Sequence, residues 1–450
     1  MITSVTLQQL QGIVGGELSG NASFSAVSTD TRSLRPGDLF VALKGPNFNG
    51  NQFVAQAMAK GACAALVSEA AAVDLPSLTV ADTRVALGKL GAWNRAQSTA
   101  KVVALTGSQG KTTVKEMTAA ILAECGPVLY TQGNLNNDIG APLSLLQISP
   151  EHSFAVIELG ANNLGEIAYT TALTQPDIAL INNVAPTHIE GFGSLEGVAK
   201  GKAELWQGLR RNGTAVINLD DPNVVARAPQ DVRQAGISAE GRSSADYLVS
   251  EVRPAGLSGS RFMLHTPVGS HEVEIHIPGR HNVANALAAA ALALEAGASL
   301  RDVVQGLGAA HAAKGRLNIR KGLNGAVVID DSYNASPASF QAAIDVLADL
   351  PGIRIVVAGD MAELGADKDS AHRELGNYAA RKGIEHFYGT GVLTAQAVTA
   401  FGKGGVLAAD CDQLARLLKP LLVPGVSVLV KGSRSAGMER VAKQLTEQED

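Results

Sequence analysis

The chain has 450 residues, of which 46% are hydrophobic and 18% charged, and its formal net charge is −5 at pH 7. This composition supplies apolar side chains for several cores and excludes a mainly disordered chain. A weakly acidic chain has no broad basic surface, so we expect no nucleic-acid partner and no binding to anionic membranes. The three cysteines are too few and too widely spaced for a disulfide framework or a zinc site.

The chain shows no targeting or membrane-spanning signal. Its N-terminus lacks a basic segment followed by a long apolar run, which excludes a secretory signal peptide. The most apolar run, residues 283–296, is short and Ala-rich and contains Asn285 and Glu295, which favours a buried helix over a membrane span. We therefore expect a soluble, cytoplasmic protein with no membrane-inserted segment.

The length predicts about three domains, and the pattern of elements places them at residues 1–98, 99–313 and 314–450. In the first, strands at residues 38–43 and 62–68 and helices at 53–60 and 88–96 indicate a small α/β unit.

The middle block alternates apolar strands with helices, which is typical of a parallel sheet buried on both faces. These strands are predicted at residues 102–105, 154–157, 178–181 and 215–217. Strict alternation within residues 246–277 predicts a small antiparallel addition, closed by the Ala-rich helix.

In the last block, strands at 326–329, 354–358 and 426–430 and a helix with Pro337 at its first position indicate a second doubly wound unit. The predicted class is therefore α/β, with a central phosphate-loop, parallel-sheet ATPase domain and a C-terminal Rossmann-like domain.

A glycine-rich loop between the strand at 102–105 and a predicted helix at 114–125 is the strongest functional signal. Its backbone N–H groups can surround phosphate oxygens, while Lys111 supplies positive charge and Thr112 a hydroxyl for Mg²⁺. The loop is shorter than the full motif, because Leu105 stands where a first glycine is expected. The strand–loop–helix context favours nucleotide binding over a structural turn, with Lys111 on an exposed loop.

Two further side chains follow strand ends, where open α/β sheets bind their ligands. Glu158 ends the strand at 154–157, and His188 lies after the strand at 178–181. Oxygen ligands suit Mg²⁺, so Glu158 is a candidate ligand. The alternatives are an ordinary surface acid for Glu158 and a hydrogen-bonded loop histidine for His188.

Nine stretches of the chain resemble motifs of the Mur ligases. The phosphate loop is similar to that of Mur ligases and folylpolyglutamate synthases, and the third-domain stretches resemble the branch that adds D-alanyl-D-alanine. The family's Asp-Gly-His is replaced here by Asn49-Gly50-Asn51. The stretches are residues 28–32, 36–43, 106–113, 132–143, 279–285, 314–317, 330–337, 359–365 and 431–434.

The resemblance implies an ATP-dependent ligase that forms an amide bond. The N-terminal domain would bind UDP-N-acetylmuramoyl-tripeptide, ATP would phosphorylate its terminal carboxylate, and the amine of D-alanyl-D-alanine would displace phosphate from the acyl phosphate. The third residue of the acceptor peptide could be meso-diaminopimelate or lysine. The enzyme would act as a monomer in the synthesis of peptidoglycan precursors.

The resemblance also assigns roles to individual residues. It implies that Lys202 is N-carboxylated and helps to hold a second Mg²⁺; the alternative is an exposed helix lysine. The implied catalytic residues are Lys111, His188, Lys202, Arg316 and Asp331. The implied metal ligands are Thr112, Glu158, His188 and Lys202. The implied nucleotide-binding residues are Gly107, Ser108, Gln109, Gly110, Lys111, Thr112, Thr113, Asn282, Asn285 and Arg316. The implied substrate-binding residues are Asp30, Arg32, Lys44, Asn134, Asn136, Asn137, Asn334, Lys431, Ser433 and Arg434.

Three other functions compete with this interpretation. A folate-tailing amide ligase would share the ATP chemistry, but that family begins with its phosphate-loop domain. A phosphate-loop switch or motor usually has the full-length loop and an Asp at the strand end, in place of Glu158. A non-catalytic nucleotide binder would lack some of the expected site residues, and none is missing.

Overall fold

The structure, a computed structural model, describes residues 1–70 and 73–447. Its first unit is a five-stranded sheet in the order β2-β9-β8-β5-β4, with two short antiparallel pairs beside it. The strands are β1 (Val5–Thr6), β2 (Glu17–Ser19), β3 (Ser23–Phe24), β4 (Val27–Ser28), β5 (Leu39–Val41), β6 (Lys44–Gly45), β7 (Phe48–Asn49), β8 (Ala64–Val67) and β9 (Ser77–Thr79), and the helices are α1 (Leu7–Val14), α2 (Val54–Ala59) and α3 (Thr83–Ala96).

The central unit is a nine-stranded sheet in the order β11-β12-β10-β13-β14-β15-β16-β17-β18. Its strands are β10 (Lys101–Thr106), β11 (Val128–Tyr130), β12 (Phe154–Glu158), β13 (Ile178–Ile181), β14 (Thr214–Asn218), β15 (Arg233–Ser238), β16 (Tyr247–Pro254), β17 (Ser260–Thr266) and β18 (Gly269–Ile275). Its helices are α4 (Lys111–Ala123), α5 (Gly140–Leu146), α6 (Glu166–Thr174), α7 (Ile189–Phe192), α8 (Leu195–Ala203), α9 (Pro222–Val225), α10 (Arg280–Glu295) and α11 (Leu300–Ala309).

The last unit is a six-stranded sheet in the order β19-β20-β24-β21-β22-β23, parallel except for β19. The strands are β19 (Asn318–Lys321), β20 (Val327–Asp331), β21 (Ile353–Ala358), β22 (His386–Thr390), β23 (Gly405–Ala408) and β24 (Val426–Lys431), and the helices are α12 (Pro337–Ala348), α13 (Lys368–Arg381), α14 (Thr394–Phe401), α15 (Cys411–Leu418) and α16 (Glu439–Leu445). The predicted α/β class is confirmed.

The central sheet is covered on both faces, as the continuous apolar strands predict. Val103 and Leu105 of β10 pack in the core that contains α4 and α10, while Val102 and Ala104 pack in the opposite core with α5. Each core is therefore formed by alternate residues of the same strand. The antiparallel strands β17 and β18 extend this same sheet, because β16 pairs in parallel with β15 and antiparallel with β17.

Several helices begin earlier than the sequence predicts. Helix α3 starts at Thr83 because the Asp82 carboxylate accepts hydrogen bonds from the N–H groups of Arg84 and Val85. Helix α4 starts at Lys111, so the phosphate loop ends inside its first turn. The Ala-rich helix α10 starts at Arg280. None of the helices in the described ranges is long and apolar enough to cross a membrane.

One buried arginine joins the first and central units. Arg95 of α3 is 1% exposed and donates to the carbonyl oxygens of Thr174 and Gln175. It also pairs with Asp177 at 3.1 Å, and Asp177 receives a second, more exposed arginine, Arg210, at 3.0 Å. The bonds are made by Nε and Nη2, whereas the buried Nη1 has no partner among the described residues. Burial of a guanidinium is costly unless it is paired, so these contacts fix α3 against the central sheet.

We expect Arg95→Ala to destabilise the protein by about 3 kcal/mol, because the buried Thr174 carbonyl and two partly buried acceptors lose their donor and the space of a large buried side chain is left empty. Arg210→Ala is the matched control: it removes an exposed partner of the same carboxylate and should cost less than about 1 kcal/mol. Thermal unfolding of both variants measures the difference. Equal shifts in the unfolding midpoint would contradict a structural role for Arg95.

Candidate active site

A cavity of about 1010 Å³ lies between the central and last units. It opens where β10, β13 and β14 end on one side and where β20 and β24 end on the other. Gln109 of the phosphate loop donates to Ser336 of the last unit at 3.2 Å, so the two walls are in contact. Most of the residues selected from the sequence line this cavity: Ser108, Gln109, Gly110, Lys111, Thr112, Thr113, His188, Asn282, Asn285, Arg316, Asp331, Asn334, Lys431, Ser433 and Arg434.

The phosphate loop is held by two asparagines that follow β13. Asn183 accepts from the Gln109 N–H at 2.8 Å and donates to the Gln109 carbonyl at 3.1 Å, and Asn182 donates to that carbonyl at 3.0 Å. The Ser108 hydroxyl also donates to the Ala185 carbonyl. Neither asparagine was selected from the sequence. Both asparagines directly follow an apolar strand, and this same position singled out Glu158. The signal was therefore present in the sequence for all three residues.

Lys111 lies in the first turn of α4, and not on an exposed loop as expected. Its Nζ donates to the Gly107 carbonyl at 2.7 Å, which folds the side chain back over the loop. Burial lowers the pKa of Lys111, the Glu158 charge opposes this shift, and the Arg316 charge adds to it. Arg316 from the last unit is therefore close enough to act on Lys111 electrostatically.

Glu158 lies at the end of β12, as predicted, and is 2% exposed. Its carboxylate accepts from the Thr112 hydroxyl at 3.1 Å and from the Asn136 amide at 2.7 Å. The surface-acid alternative is therefore wrong. Asn137 instead accepts from the Gly140 N–H at 2.8 Å, which stabilises the start of α5, and Asn134 is exposed.

Lys202 is buried in α8, with 2% of its surface exposed, so the exposed-lysine alternative is also wrong. No described residue accepts a hydrogen bond from its Nζ. Burial, with a smaller contribution from Lys111, lowers the pKa of Lys202 well below its ordinary value. Burial therefore disfavours the charged form of this amine relative to an exposed lysine.

His188 occupies a left-handed conformation, φ 54°, just before α7. Its Nδ1 lies against the carboxylate of Glu363, which comes from the last unit and is itself at φ 62°. Burial lowers the pKa of His188, and Glu363 opposes that shift. Within residues 1–70 and 73–447, no group of three or more His, Cys, Asp or Glu side chains is arranged to hold a metal ion.

The opposite wall contains a buried ion pair. Lys431 donates to Asp331 at 2.5 Å and to the Asn334 carbonyl at 2.9 Å, and Asp331 also accepts from the Leu317 N–H at 3.1 Å. Both charges of the pair are nearly buried. Two residues that the resemblance gave separate roles thus neutralise each other in this structure.

The two asparagines at the start of α10 line the cavity and bond to each other. Asn285 donates to Asn282 at 2.9 Å and accepts from Asn182 at 3.1 Å, while Asn282 donates to the Pro278 carbonyl. The phosphate loop approaches them closely: a Cβ on Gly110, φ 76°, would lie 2.4 Å from the Asn285 Oδ1. Only glycine fits this position without displacing the amides.

Three residues selected as substrate ligands lie in the first unit, away from this cavity. Arg32 pairs with Asp30 at 2.6 Å, and this hydrogen bond lowers the pKa of Asp30 to about 2. Lys44 pairs with Glu69 at 2.9 Å. Asn51, at the position where the resembled family has histidine, donates to the Ser68 hydroxyl and accepts from the Ser68 N–H.

Three segments match profiles described as "Mur ligase family, catalytic domain" (residues 23–102), "Mur ligase middle domain" (105–293) and "Mur ligase, glutamate ligase domain" (315–434). A UDP-N-acetylmuramoyl-tripeptide–D-alanyl-D-alanine ligase of Escherichia coli K12 is 49% identical over 99% of both chains. The chain belongs to the Mur ligase family. It is therefore an ATP-dependent amide ligase by family.

Solved structures agree with this assignment. A MurF from Acinetobacter baumannii superposes with a TM-score of 0.92 at 38% identity, covering 99% of this chain and 100% of that one. A MurF ligase from Thermotoga maritima in complex with ADP gives 0.82 at 27% identity, covering 93% of this chain and 96% of that one. A folylpolyglutamate synthase from Mycobacterium tuberculosis, at 17% identity, shares the fold.

We expect Gly110→Ala to weaken nucleotide binding by about tenfold or more, because its Cβ would displace both Asn182 and Asn285. Gly165→Ala is the matched control, since Gly165 has a similar φ of 87° but no heavy atom within 4 Å of the place its Cβ would take. Titration with ATP and ADP measures both variants. Unchanged affinity in Gly110→Ala, with the control also unchanged, would show that the loop tolerates the clash.

Proposed function

We propose that this enzyme joins D-alanyl-D-alanine to UDP-N-acetylmuramoyl-tripeptide, with ATP converted to ADP and phosphate. The terminal carboxylate of the tripeptide attacks the γ-phosphorus, ADP leaves, and an acyl phosphate forms. The amine of the dipeptide then attacks the acyl carbon, phosphate leaves, and the amine proton is released. The 49% identical relative of this name, matched over 99% of its length, supports the substrate assignment.

The observation that carries the chemistry is the convergence of cations from two units on one cavity. A carboxylate and a γ-phosphate repel each other, and an uncompensated approach of these two anions is slow. Lys111 at the start of α4 and Arg316 from the last unit both line this cavity, and the Arg316 charge contributes to the lowered pKa of Lys111. They are suited to neutralise the phosphates as the two anions meet.

The oxygen-rich end of the loop fits a magnesium ion. The Thr112 hydroxyl and the Glu158 carboxylate lie 3.1 Å apart at the end of β12, and oxygen ligands of this kind, with phosphates and water, are those Mg²⁺ prefers. When bound there, Mg²⁺ would neutralise phosphate charge. Asn136 holds the other oxygen of Glu158 and so fixes the direction of the carboxylate.

A second magnesium site requires a further anion, and N-carboxylated Lys202 would supply it. A neutral Nζ attacks carbon dioxide, an N–C bond forms, and one proton is released to leave a carbamate anion. Burial and the lowered pKa of Lys202 support this chemistry, because only the unprotonated amine is nucleophilic. His188, which Lys202 influences electrostatically, would be the neighbouring ligand.

The remaining roles divide among the three proposed domains, residues 1–98, 99–313 and 314–450. The first would bind the UDP-sugar-peptide through Asp30, Arg32 and Lys44, and the last would bind the dipeptide. Ser433 and Arg434, which line the cavity beside β24, are suited to its carboxylate. We further propose that the enzyme acts as a cytoplasmic monomer in peptidoglycan precursor synthesis, since both walls of the cavity come from one chain.

The proposed function is tested by phosphate release. We expect release only when ATP, a UDP-N-acetylmuramoyl-tripeptide and D-alanyl-D-alanine are all present, with tripeptides ending in meso-diaminopimelate and in lysine assayed in parallel. Lys111→Ala should lower the rate by about 100-fold or more, because a preorganised cation is lost at the transferred phosphate. Its thermal unfolding is the control for folding. Phosphate release that is indifferent to the dipeptide would contradict the proposal.

We expect Lys202→Ala to lose activity and to recover part of it in added formate or acetate, which can replace the carbamate oxygens. Lys200→Ala, an exposed lysine on the same helix, is the matched control and should be unaffected. Incubation with ¹³C-labelled bicarbonate should give a carbamate NMR signal that Lys202→Ala lacks. A fully active Lys202→Ala enzyme would contradict the metal role.

A further inference from the structure

Tyr333 lies in the segment between β20 and α12, at the cavity wall formed by the last unit. Two arginines lie at its ring: the Arg316 Cζ is 4.5 Å from the ring centroid, and the Arg434 Cζ is 5.8 Å from it. Both distances are within the range of a cation–π interaction. Neither the composition of the segment nor the predicted elements indicated that these residues share one ring.

These arginines have little other electrostatic compensation. Among the described residues, no carboxylate pairs with Arg316, and Arg434 has only the exposed Glu439 at 3.8 Å. Two guanidinium groups on one ring repel each other, and the negative face of the ring offsets part of that repulsion. The N–H donors of Arg316 consequently have no protein anion to bind and are available to a substrate anion.

The backbone around Arg316 is fixed independently of the Tyr333 side chain. Gly315 and Leu317 on either side have φ of 70° and 51°, a conformation that leucine rarely adopts. The Leu317 N–H donates to Asp331, and the Tyr333 N–H donates to the Gly315 carbonyl at 3.0 Å. Because that last bond is made by the backbone, it persists when the Tyr333 side chain is replaced.

The Tyr333 hydroxyl makes no hydrogen bond to any residue in the described ranges. The contacts of this side chain to the two arginines are therefore made by the aromatic ring. A ring without the hydroxyl should serve equally well, and an aliphatic side chain of similar volume should not.

We propose that Tyr333 is a positioning residue, whose ring holds the Arg316 guanidinium against the cavity so that it meets the γ-phosphate when the two walls close. This inference rests on the proposed function, which gives Arg316 its phosphate contact. Arg316 has a long, flexible side chain, and a guanidinium restrained before the reaction loses less conformational freedom as the transferred phosphate develops charge. The ring therefore contributes to turnover more than to substrate binding.

The test compares Tyr333→Leu with Tyr333→Phe. We expect Tyr333→Leu to lower kcat by about tenfold with the KM of the UDP-peptide unchanged, and Tyr333→Phe to restore most of the turnover. Tyr378→Leu is the matched control: Tyr378 in α13 also carries two cations, Arg381 at 5.6 Å and Lys382 at 5.3 Å, but does not line the cavity. It should leave kcat unchanged.

A double variant separates action through Arg316 from a general packing effect. If Tyr333 works through Arg316, then Arg316→Ala/Tyr333→Leu is no slower than Arg316→Ala alone, whereas independent effects multiply. A second measurement is the ratio of the affinities for a non-hydrolysable ATP analogue and for ADP, in the absence of the other substrates. This nucleotide preference should fall severalfold in Arg316→Ala and by the same factor in Tyr333→Leu. The inference is overturned if the two substitutions lower turnover by the product of their separate effects. It is also overturned if Tyr333→Leu keeps the wild-type preference for the ATP analogue over ADP.

These outcomes distinguish the inference from the proposed function. A wild-type enzyme that releases no phosphate with the UDP-peptide and dipeptide contradicts the proposed function, while the nucleotide preference still decides the role of Tyr333. An active wild type with an equally active Tyr333→Leu variant overturns the role of Tyr333 alone. Thermal unfolding would show whether Tyr333→Leu folds poorly. In that case the preference of Tyr333→Phe for the ATP analogue over ADP decides. A preference equal to that of the wild type supports the role of the ring, and a severalfold fall to that of Arg316→Ala overturns it.

Discussion

Positive charge gathered at one cavity is the constraint on which the arrangement of this site depends. Lys111 and Arg316 line it from separate units. Burial lowers the pKa of Lys111 and that of Lys202 in α8; Arg316 adds to the first shift and Lys111 to the second. Closing the two walls brings these charges nearer, and this costs free energy unless an anion lies between them. Phosphate groups of a bound nucleotide would supply that anion, so nucleotide binding and closure should favour each other.

The carboxylates near the cavity offset only part of this charge: Glu158 opposes the lowering of the Lys111 pKa, but each carboxylate already has partners of its own. Asp331 is neutralised by Lys431 at 2.5 Å, and Glu158 accepts hydrogen bonds from Thr112 and Asn136. Glu363 lies against His188, across the contact between the two walls. The acids thus shape the loops and hold particular side chains in place, while the cations remain for the substrate.

The sequence predicted the elements whose signal is local. Continuous apolar strands, the glycine loop before α4 and Glu158 at the end of β12 all follow from short patterns. The predicted first residues of helices were less accurate, because a capping residue such as Asp82 can start a helix before the first residue of its apolar pattern. The burial of Lys202 and the partners of Tyr333 depend on segments far apart in the chain. No pattern within either segment reports such contacts, so only the folded chain shows them.

Residues with a strained backbone are concentrated at the cavity between the two walls. Among the described residues, six that are not glycine have positive φ, and three of them, His188, Leu317 and Glu363, line the cavity. Residues held in this region cost about 1–3 kcal/mol each and persist only where their surroundings enforce them. His188 and Glu363 touch each other from opposite walls, so each loop helps to hold the other in its strained form. If the walls opened, that support would be lost. The two loops would then relax, and the groups of the two walls that the reaction needs side by side would move apart. Under the proposed mechanism, the chemistry would thereby be confined to the closed arrangement, in which an acyl phosphate is shielded from water.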